Sequence, residues 1–412
     1  METTIPPEQI QFFLRLLLKY IHSTRVSYDK AFKFILKKHY FPKWIIPSLY
    51  KIGYYTVNYY YTLKWLAAKH GFSPKPSGLV NFFASQGFSI KRIHDLVKDE
   101  VKNLSLTKRI SIQYSYPEYL VRDLLKHISV SELEKILNSL NTRKRWVRIN
   151  LVKTNIDKAL KCLDENGFVY EQASFPEYMV FVKEPKWRPI GRNKCVSEGL
   201  IVPQDISSAL SIEVLKPISK SVLDACSAPG LKLSLMYMFN RNGFFIGVDH
   251  SVKRIHAERK LLKRLGLRGS HYLLLVGDSR EIVFHGRFQQ SLIDAPCSGL
   301  GAVYSDPAVK INSPYRSKLE YYHNIQYGIL KNILRYSDQV LYITCSIHPL
   351  EGEYVIERIV DNGYAEPIKL NYPFLSPSYR GFNIYNKTYR LKPHIVNGQG
   401  FYIALLESLV NK

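Results

Sequence analysis

Two cysteines carry the sharpest chemical possibility in this chain: Cys297 in "DAPCSG" and Cys345 in "YITCS". A cysteine thiolate is a strong nucleophile once its pKa is lowered. A single free cysteine is more often a small, buried apolar residue. Here there are two, each at the end of a strand-like apolar run, flanked by small residues and accompanied by Asp294. That pattern points to covalent chemistry in which one thiol attacks and a second assists. A third stretch, "DACSAPGLK" (Asp224–Lys232), joins the strand-like "SVLDAC" to the helical "LKLSLMYMF" through a turn of small residues. A strand, a small-residue turn and a helix make a nucleotide-type binding loop, although the three spaced glycines of the dinucleotide fingerprint are missing. Asp249 closes "FFIGVD", where a carboxylate accepts hydrogen bonds from ribose hydroxyls; the plainer alternative is an N-cap for "SVKRIHAERKLLKRLG". Asp278, after "LLLVG", suits an adenine amino group, a weak signal by itself.

For these residues to meet, the chain must bring distant strand ends to one rim. From about Ser221, strand-like runs ("SVLDAC", "FFIGVD", "HYLLLVGD", "QSLIDAPC", "QVLYITCS") alternate with helical stretches, and "GFYIALLES" closes the chain as a last strand. That alternation predicts an α/β, Rossmann-like, doubly wound and mostly parallel sheet. Ligands of such sheets bind outside the carboxyl ends of the strands, where all these residues fall. Ahead of it, "RWVRINLVKT", "DKALKCLDENG" and "YMVFVKEP" read as a small α+β module. The first 135 residues or so read as helix after helix, with Ser27 as an N-cap. The expected domains are therefore 1–135 (helical), 136–215 (small α+β module) and 216–412 (Rossmann-like). Six tyrosines between Tyr50 and Tyr61 either pack between helices, the more frequent role, or stack on RNA bases beside Lys51 and Lys64.

Bulk properties narrow the partners. The 412 residues carry a net charge of +24, and residues 1–145 alone hold 24 Lys and Arg against 10 Asp and Glu. A field of this size favours a polyanion, nucleic acid first; a solvated lysine-rich surface and an anionic membrane are the alternatives. Arg15 and Lys19 interrupt the apolar N-terminal stretch and no apolar run reaches membrane-spanning length, so a soluble, cytoplasmic protein is expected. The five cysteines form no CxxC pair and the histidines are scattered. Neither a disulfide framework nor a metal site is expected.

Taken in order, "DACSAPGLK", "VDHSVKR", "GDS", "DAPCSGLG" and "YITCS" resemble the Sun family of RNA (cytosine-5) methyltransferases. "YPEYLV", "VRINLVKT", "VPQDISSAL" and "LKPHIVNGQGFYIALLE" agree, so the likeness spans roughly 115–408, and the helical region resembles the NusB-type RNA-binding extension of some members. The resemblance implies a class I methyltransferase domain using S-adenosyl-L-methionine. That ligand would be held by Cys226, Ser227, Ala228, Pro229, Gly230, Leu231 and Lys232 with Asp249, Arg254, Asp278 and Asp294. It implies Cys345 as the nucleophile on C6 of a cytosine, Cys297 as the group assisting release, Asp294 at the pyrimidine N3 edge and Lys232 orienting Asp294. The substrate would be rRNA or tRNA and the enzyme a monomer, with Arg148 and Lys153 as RNA contacts. The sequence departs from the family at Leu231, at Gly352 and in "GAVYSDPAVK", which lacks a paired arginine. The competing readings are a DNA (cytosine-5) methyltransferase with Cys297 as nucleophile, an inactive RNA-binding assembly factor, and a nicotinamide oxidoreductase. With a polyanionic partner, RNA affinity should fall steeply with salt, at a log–log slope of about 0.7–0.9 per phosphate neutralised. A filter-binding titration over salt concentration checks this, and a flat profile would exclude a phosphate-led interface.

Overall fold

The computed structural model describes residues 5–410; the chain ends at 1–4 and 411–412, assigned above to the first and last domains, lie outside the described residues. The chain first runs through α1 (Pro7–Thr24), α2 (Tyr28–Lys38), α3 (Ile46–Asn58), α4 (Tyr60–Lys69), α5 (Pro76–Ser85), α6 (Ile90–Glu100), α7 (Leu106–Tyr114), α8 (Glu118–Leu124) and α9 (Val130–Asn141). The pattern in α1 is typical of them. Ile10, Phe13, Leu14, Leu17, Leu18 and Ile21 share one buried stripe, the i, i+3, i+4, i+7 spacing of an amphipathic helix. Pro7 opens the helix, and Arg25 in the left-handed region closes it. Ser27 does precede α2, but its side chain makes no cap bond; Asp306 Oδ1 takes the Tyr28 N–H at 2.9 Å instead.

The chain continues through β1 (Trp146–Ile149), α10 (Ile156–Glu165), β2 (Val169–Gln172), β3 (Met179–Glu184), α11 (Lys194–Ser197), β4 (Ile201–Pro203) and α12 (Ile206–Glu213). Their strands form an antiparallel sheet ordered β2-β3-β1-β4. Next come β5 (Ser221–Asp224), α13 (Leu231–Phe239), β6 (Phe244–Asp249), α14 (Val252–Arg264), β7 (Tyr272–Val276), β8 (Phe288–Asp294), α15 (Ala308–Asn312), α16 (Arg316–Ile333), β9 (Ser337–Thr344) and α17 (Glu353–Asp361). The chain ends with β10 (Ala365–Pro367), β11 (Ser376–Pro377), β12 (Tyr389–Leu391) and β13 (Phe401–Ser408). The large sheet is ordered β11-β12-β13-β9-β8-β5-β6-β7, with β10 paired to β13. Strands β9-β8-β5-β6-β7 are parallel and β13 runs antiparallel to β9. The order reverses between β5 and β8, the switch point where such sheets open a crevice. The expected strands are β5 to β9 and β13.

Two compact units result: one of residues up to Arg143 plus Ala302–Lys318, the other of Lys144–Gly301 plus Leu319 onward. Both sheets lie in the second unit and share one apolar core, including Val147, Leu163, Val202, Leu233, Leu292 and Ile403. From Ala302 onward, the segment after the Cys297 loop, with the "GAVYSDPAVK" departure from the family pattern, thus belongs to the helical unit. Its Lys310 is fully buried, and Nζ donates to Asn58 O (2.8 Å), Tyr114 O (3.2 Å) and Asn141 Oδ1 (2.7 Å). The tyrosine cluster packs in the same unit. Tyr54 and Tyr60 are buried and the other four half-buried, and Tyr54 and Tyr61 donate to the carbonyls of Tyr304 and Lys310.

Two sequence expectations are corrected here. Cys162 and Cys195 form a disulfide between α10 and α11, with Cα atoms 6.1 Å apart. Thirty-three positions separate them, so no local spacing announces the pair; only folding brings the two helices together. Arg148 is not an RNA contact: it is fully buried. Because side chains alternate faces along a strand, it points from β1 to α13, donating to Leu231 O (3.2 Å) and Ser234 Oγ (2.7 Å). Lys153 is exposed, but its Nζ already donates to Glu198 O and Arg264 O.

Lys310→Ala should destabilise the protein by about 3 kcal/mol or more, since it leaves three buried acceptors without their donor. Thermal unfolding checks this; an unchanged midpoint would mean that the acceptors find other donors.

Candidate active site

The turn after β5 is built to approach something closely. Gly230 sits at φ 94° as the N-cap of α13, and a Cβ there would lie 2.9 Å from Glu258 Cγ. No side chain caps α13, so the amides of its first turn are left for an anion. Backbone bonds fix the turn: Ser227 N–H to Val248 O (2.9 Å) and Gly230 N–H to Ser227 O (2.7 Å). Asp224 beneath it is buried, and burial, with the charges of Glu258 and Asp294, pushes its carboxyl well up. The Cys226 thiol is pushed up too, by burial and then by Asp224.

Asp249 lies at the end of β6, buried, with Oδ1 accepting from Ser251 N–H (3.0 Å) and Oδ2 facing Arg254 Nη1 (3.0 Å). Ser251, not Asp249, is the N-cap of α14, so the plainer account of Asp249 does not hold. Arg254 also donates to Ala228 O, tying the turn to Asp249. Asp278 is gripped by Arg280, whose Nε reaches both carboxylate oxygens at 3.0 Å. That hydrogen bonding holds the Asp278 carboxyl below its ordinary range.

Strands β8 and β9 bring the reactive groups together. Asp294 pairs in register with Ile343, so the loops that follow both strands leave the same edge. Cys297 Sγ and Cys345 Sγ stand 3.2 Å apart. The hydrogen bond with Cys345, followed by burial, pushes the Cys297 thiol well up, and either sulfur can donate to the other. Lys232 Nζ lies 2.5 Å from Asp294 Oδ2, with only 11% of the lysine side chain exposed. Burial pulls the Lys232 pKa down, but the Asp294 charge and hydrogen bond outweigh it, and the ammonium is retained. Gly301 locks the loops: its N–H donates to Cys345 O, its carbonyl accepts from Gly400 N–H, both at 2.9 Å, and a Cβ would fall 1.9 Å from Gly400 O.

Two residues beyond the sequence reading complete the site. Glu258, the lone acid on the basic α14, is fully buried. Its Oε2 accepts from Ser227 Oγ (2.9 Å) behind the turn, and burial raises its carboxyl to about 7. Glu351, from the "PLEGE" segment, is also fully buried. It accepts from Ser298 N–H (2.7 Å), Ser298 Oγ (2.5 Å) and Ser346 Oγ (2.6 Å). A lone acid on a basic helix is the one signal that marked Glu258; nothing local marked Glu351. An open groove of about 640 Å³, lined by Trp146, Phe175, Phe181 and Phe374 among others, holds none of the site residues.

The strand order and the rim of carboxylates and thiols define a Rossmann-like, class I methyltransferase-type fold. Residues 212–407 match the family model described as 16S rRNA methyltransferase RsmB/F. The chain is 28% identical over 355 residues to the 28S rRNA (cytosine(4447)-C(5))-methyltransferase of Homo sapiens, covering 78% of this chain and 43% of that protein. It is 25% identical over 415 residues to the probable ribosomal RNA small subunit methyltransferase B of Bacillus subtilis, covering 94% and 89%. The chain spans under half the length of the human relative and of the Caenorhabditis elegans 26S rRNA (cytosine-C(5))-methyltransferase nsun-1, which is 27% identical. Among solved structures, PH0851 matches with a TM-score of 0.78 at 22% identity, covering 99% of this chain and 100% of that one. NSun6 from Pyrococcus horikoshii with SFG matches with a TM-score of 0.64 at 18% identity, covering 72% and 100%. These structures share the fold.

Glu258 makes a pH prediction. Its folded pKa is raised from 4.5 to about 7, so unfolding releases a proton and stability falls as pH rises from about 4.5 through 7. Glu258→Gln removes that cost. It should be more stable than the parent by up to about 3 kcal/mol above pH 7, with the difference vanishing below pH ~4.5. Urea unfolding at both ends of this window checks it; a difference independent of pH would place the carboxyl in water.

Proposed function

We propose that this protein is an S-adenosyl-L-methionine-dependent RNA (cytosine-5) methyltransferase acting on rRNA or tRNA. The observation that carries the reading is the pair of thiols 3.2 Å apart beside the Lys232–Asp294 ion pair. A nicotinamide oxidoreductase needs no such pair. The residues fit the cofactor: an uncapped helix N-terminus suits its carboxylate, small residues 226–230 allow close backbone approach, and the Asp249 carboxylate suits the ribose hydroxyls. Bound there with Asp278 and Arg254 nearby, the cofactor supplies an electrophilic methyl group.

The protein's own groups account for the rest. Cys345 forms a bond to C6 of the cytosine, which makes C5 electron-rich. Asp294, held by Lys232, stabilises the proton gained at N3 as charge develops on the ring. After methylation, the C5 proton is removed with the help of Cys297, and the C6–S bond breaks to release Cys345. The additional cysteine after β9, Cys345, favours RNA-type over DNA-type chemistry. A base must leave its stack to reach these groups. The positive charge suits the polyanion. Every site residue comes from one chain, so a monomer suffices, and the cytoplasm is the expected compartment.

The two cysteines should fail differently. Cys345→Ala should give neither product nor a covalent RNA adduct. Cys297→Ala should accumulate a denaturant-stable adduct, seen as a shifted band with radiolabelled RNA on a denaturing gel. The reverse pattern would establish the DNA-type assignment, and no adduct from either variant, with no methyl transfer by the parent, would leave an inactive RNA-binding protein.

A further inference from the structure

We infer that Glu351 is the positioning residue that holds Cys297 and Cys345 at reacting distance. This rests on the methyl-transfer reading above for its purpose, but not for its geometry. Ser298 is the peptide neighbour of Cys297 and Ser346 that of Cys345. One carboxylate receives both: Oε1 takes the Ser298 N–H, while Oε2 takes the Ser298 and Ser346 hydroxyls. Two loops that belong to different strands are thereby pinned to two oxygens of a single side chain. The two hydroxyls are themselves 3.4 Å apart.

The clamp is in turn fixed to the sheet. The Glu351 carbonyl accepts from Tyr342 OH (3.1 Å) and Thr344 Oγ1 (2.9 Å), both on β9. Gln326 of α16 bonds Pro296 O (2.9 Å), one residue before Cys297, and reaches Glu351 Oε1 at 3.4 Å. On the other side, Arg390, ion-paired with buried Glu353, donates to Ser346 O at 3.1 Å. Ser298, Gln326, Ser346 and Glu351 are all buried. Glu351 touches neither sulfur, so it does not act on substrate. Its acceptor-only chemistry matches donors that come from the two cysteine loops. A glutamine would offer N–H groups to partners that are themselves donors. In the catalytic cycle the clamp matters most after attack, when Cys345 is bonded to C6 and Cys297 must still lie within reach of the C5 proton.

The test uses Glu351→Gln and Ser346→Ala in the full chain, with S-adenosyl-L-methionine binding and thermal midpoint as folding controls. The clamp is read without RNA. Diamide oxidises two adjacent thiols to a disulfide while being reduced itself, and peptide mapping follows closure of Cys297–Cys345. Closure in Glu351→Gln should slow by about ten-fold, the loss of roughly one charge-assisted hydrogen bond. In single-turnover methylation the rate should fall by about 100-fold, the usual effect of a 1 Å misplacement, with KM for cofactor and RNA little changed. Ser346→Ala should show smaller losses of the same kind, and it decides the matter should Glu351→Gln fail to fold. Parent-like closure in a folded variant overturns the clamp, whether or not methylation falls. Slowed closure with no methylation even by the parent supports the clamp and overturns the methyltransferase reading instead.

Discussion

The parallel pairing of β8 with β9 is the contact on which the site depends. Asp294 sits opposite Ile343 in that pairing, so the loops carrying Cys297 and Cys345 leave the sheet at one edge, side by side. A slip of one residue in register would turn each following side chain to the other face and separate the thiols. The fold protects the register by sequestering it. Tyr342 and Ile343 are completely buried, and β13 closes the outer side of β9 through six paired positions from Tyr402 to Glu407. The Gly301–Gly400 approach then fixes the loops above the sheet, at a separation that leaves no room for a side chain.

Around this edge the protein buries polar groups in quantity and ties them to neighbouring loops, leaving Arg148 Nε and Glu258 Oε1 without a hydrogen-bond partner among the described residues. Glu351 receives donors from both cysteine loops, and Arg390 with Glu353 forms a closed ion pair beside them. Arg148 reaches from the small sheet to the start of α13, and Arg254 from α14 to the turn carbonyl. Breaking one partner of such a pair strands a buried charge, which costs far more than losing a surface pair. These contacts tie the loops to the sheet, the rigidity that the proposed covalent mechanism with two thiols needs. The turn after β5 is treated likewise, with buried Glu258 behind it and Asp224 below it.

The helical unit shows the same economy in another form. Its tyrosines pack against the segment that follows the Cys297 loop, and Lys310 from that segment stands where three acceptors converge. The sequence there lacks the arginines common to the resembling family, and its one lysine at the centre serves packing. A positive residue in a basic chain is therefore not by itself a phosphate contact; Arg148 makes the point again.

Much of the strand arrangement was legible in the residues alone, because strands and the turns that end them are local. "SVLDAC", "QSLIDAPC" and "YITCS" each declare a strand and a candidate site residue at its end, and the alternation of strands and helices sets all those ends on one rim. Helical periodicity likewise marked the first unit, and the small residues ending at Gly230 marked the turn after β5. What tertiary structure decided were the long-range partners. Cys162 finds Cys195, Ser298 and Ser346 find Glu351, Glu258 finds Ser227, and residues 302–318 join helices that precede them by more than 150 positions. No local pattern encodes such pairs: a buried carboxylate and a solvated one read alike in sequence, and only the packing of elements from distant parts of the chain removes the water that tells them apart.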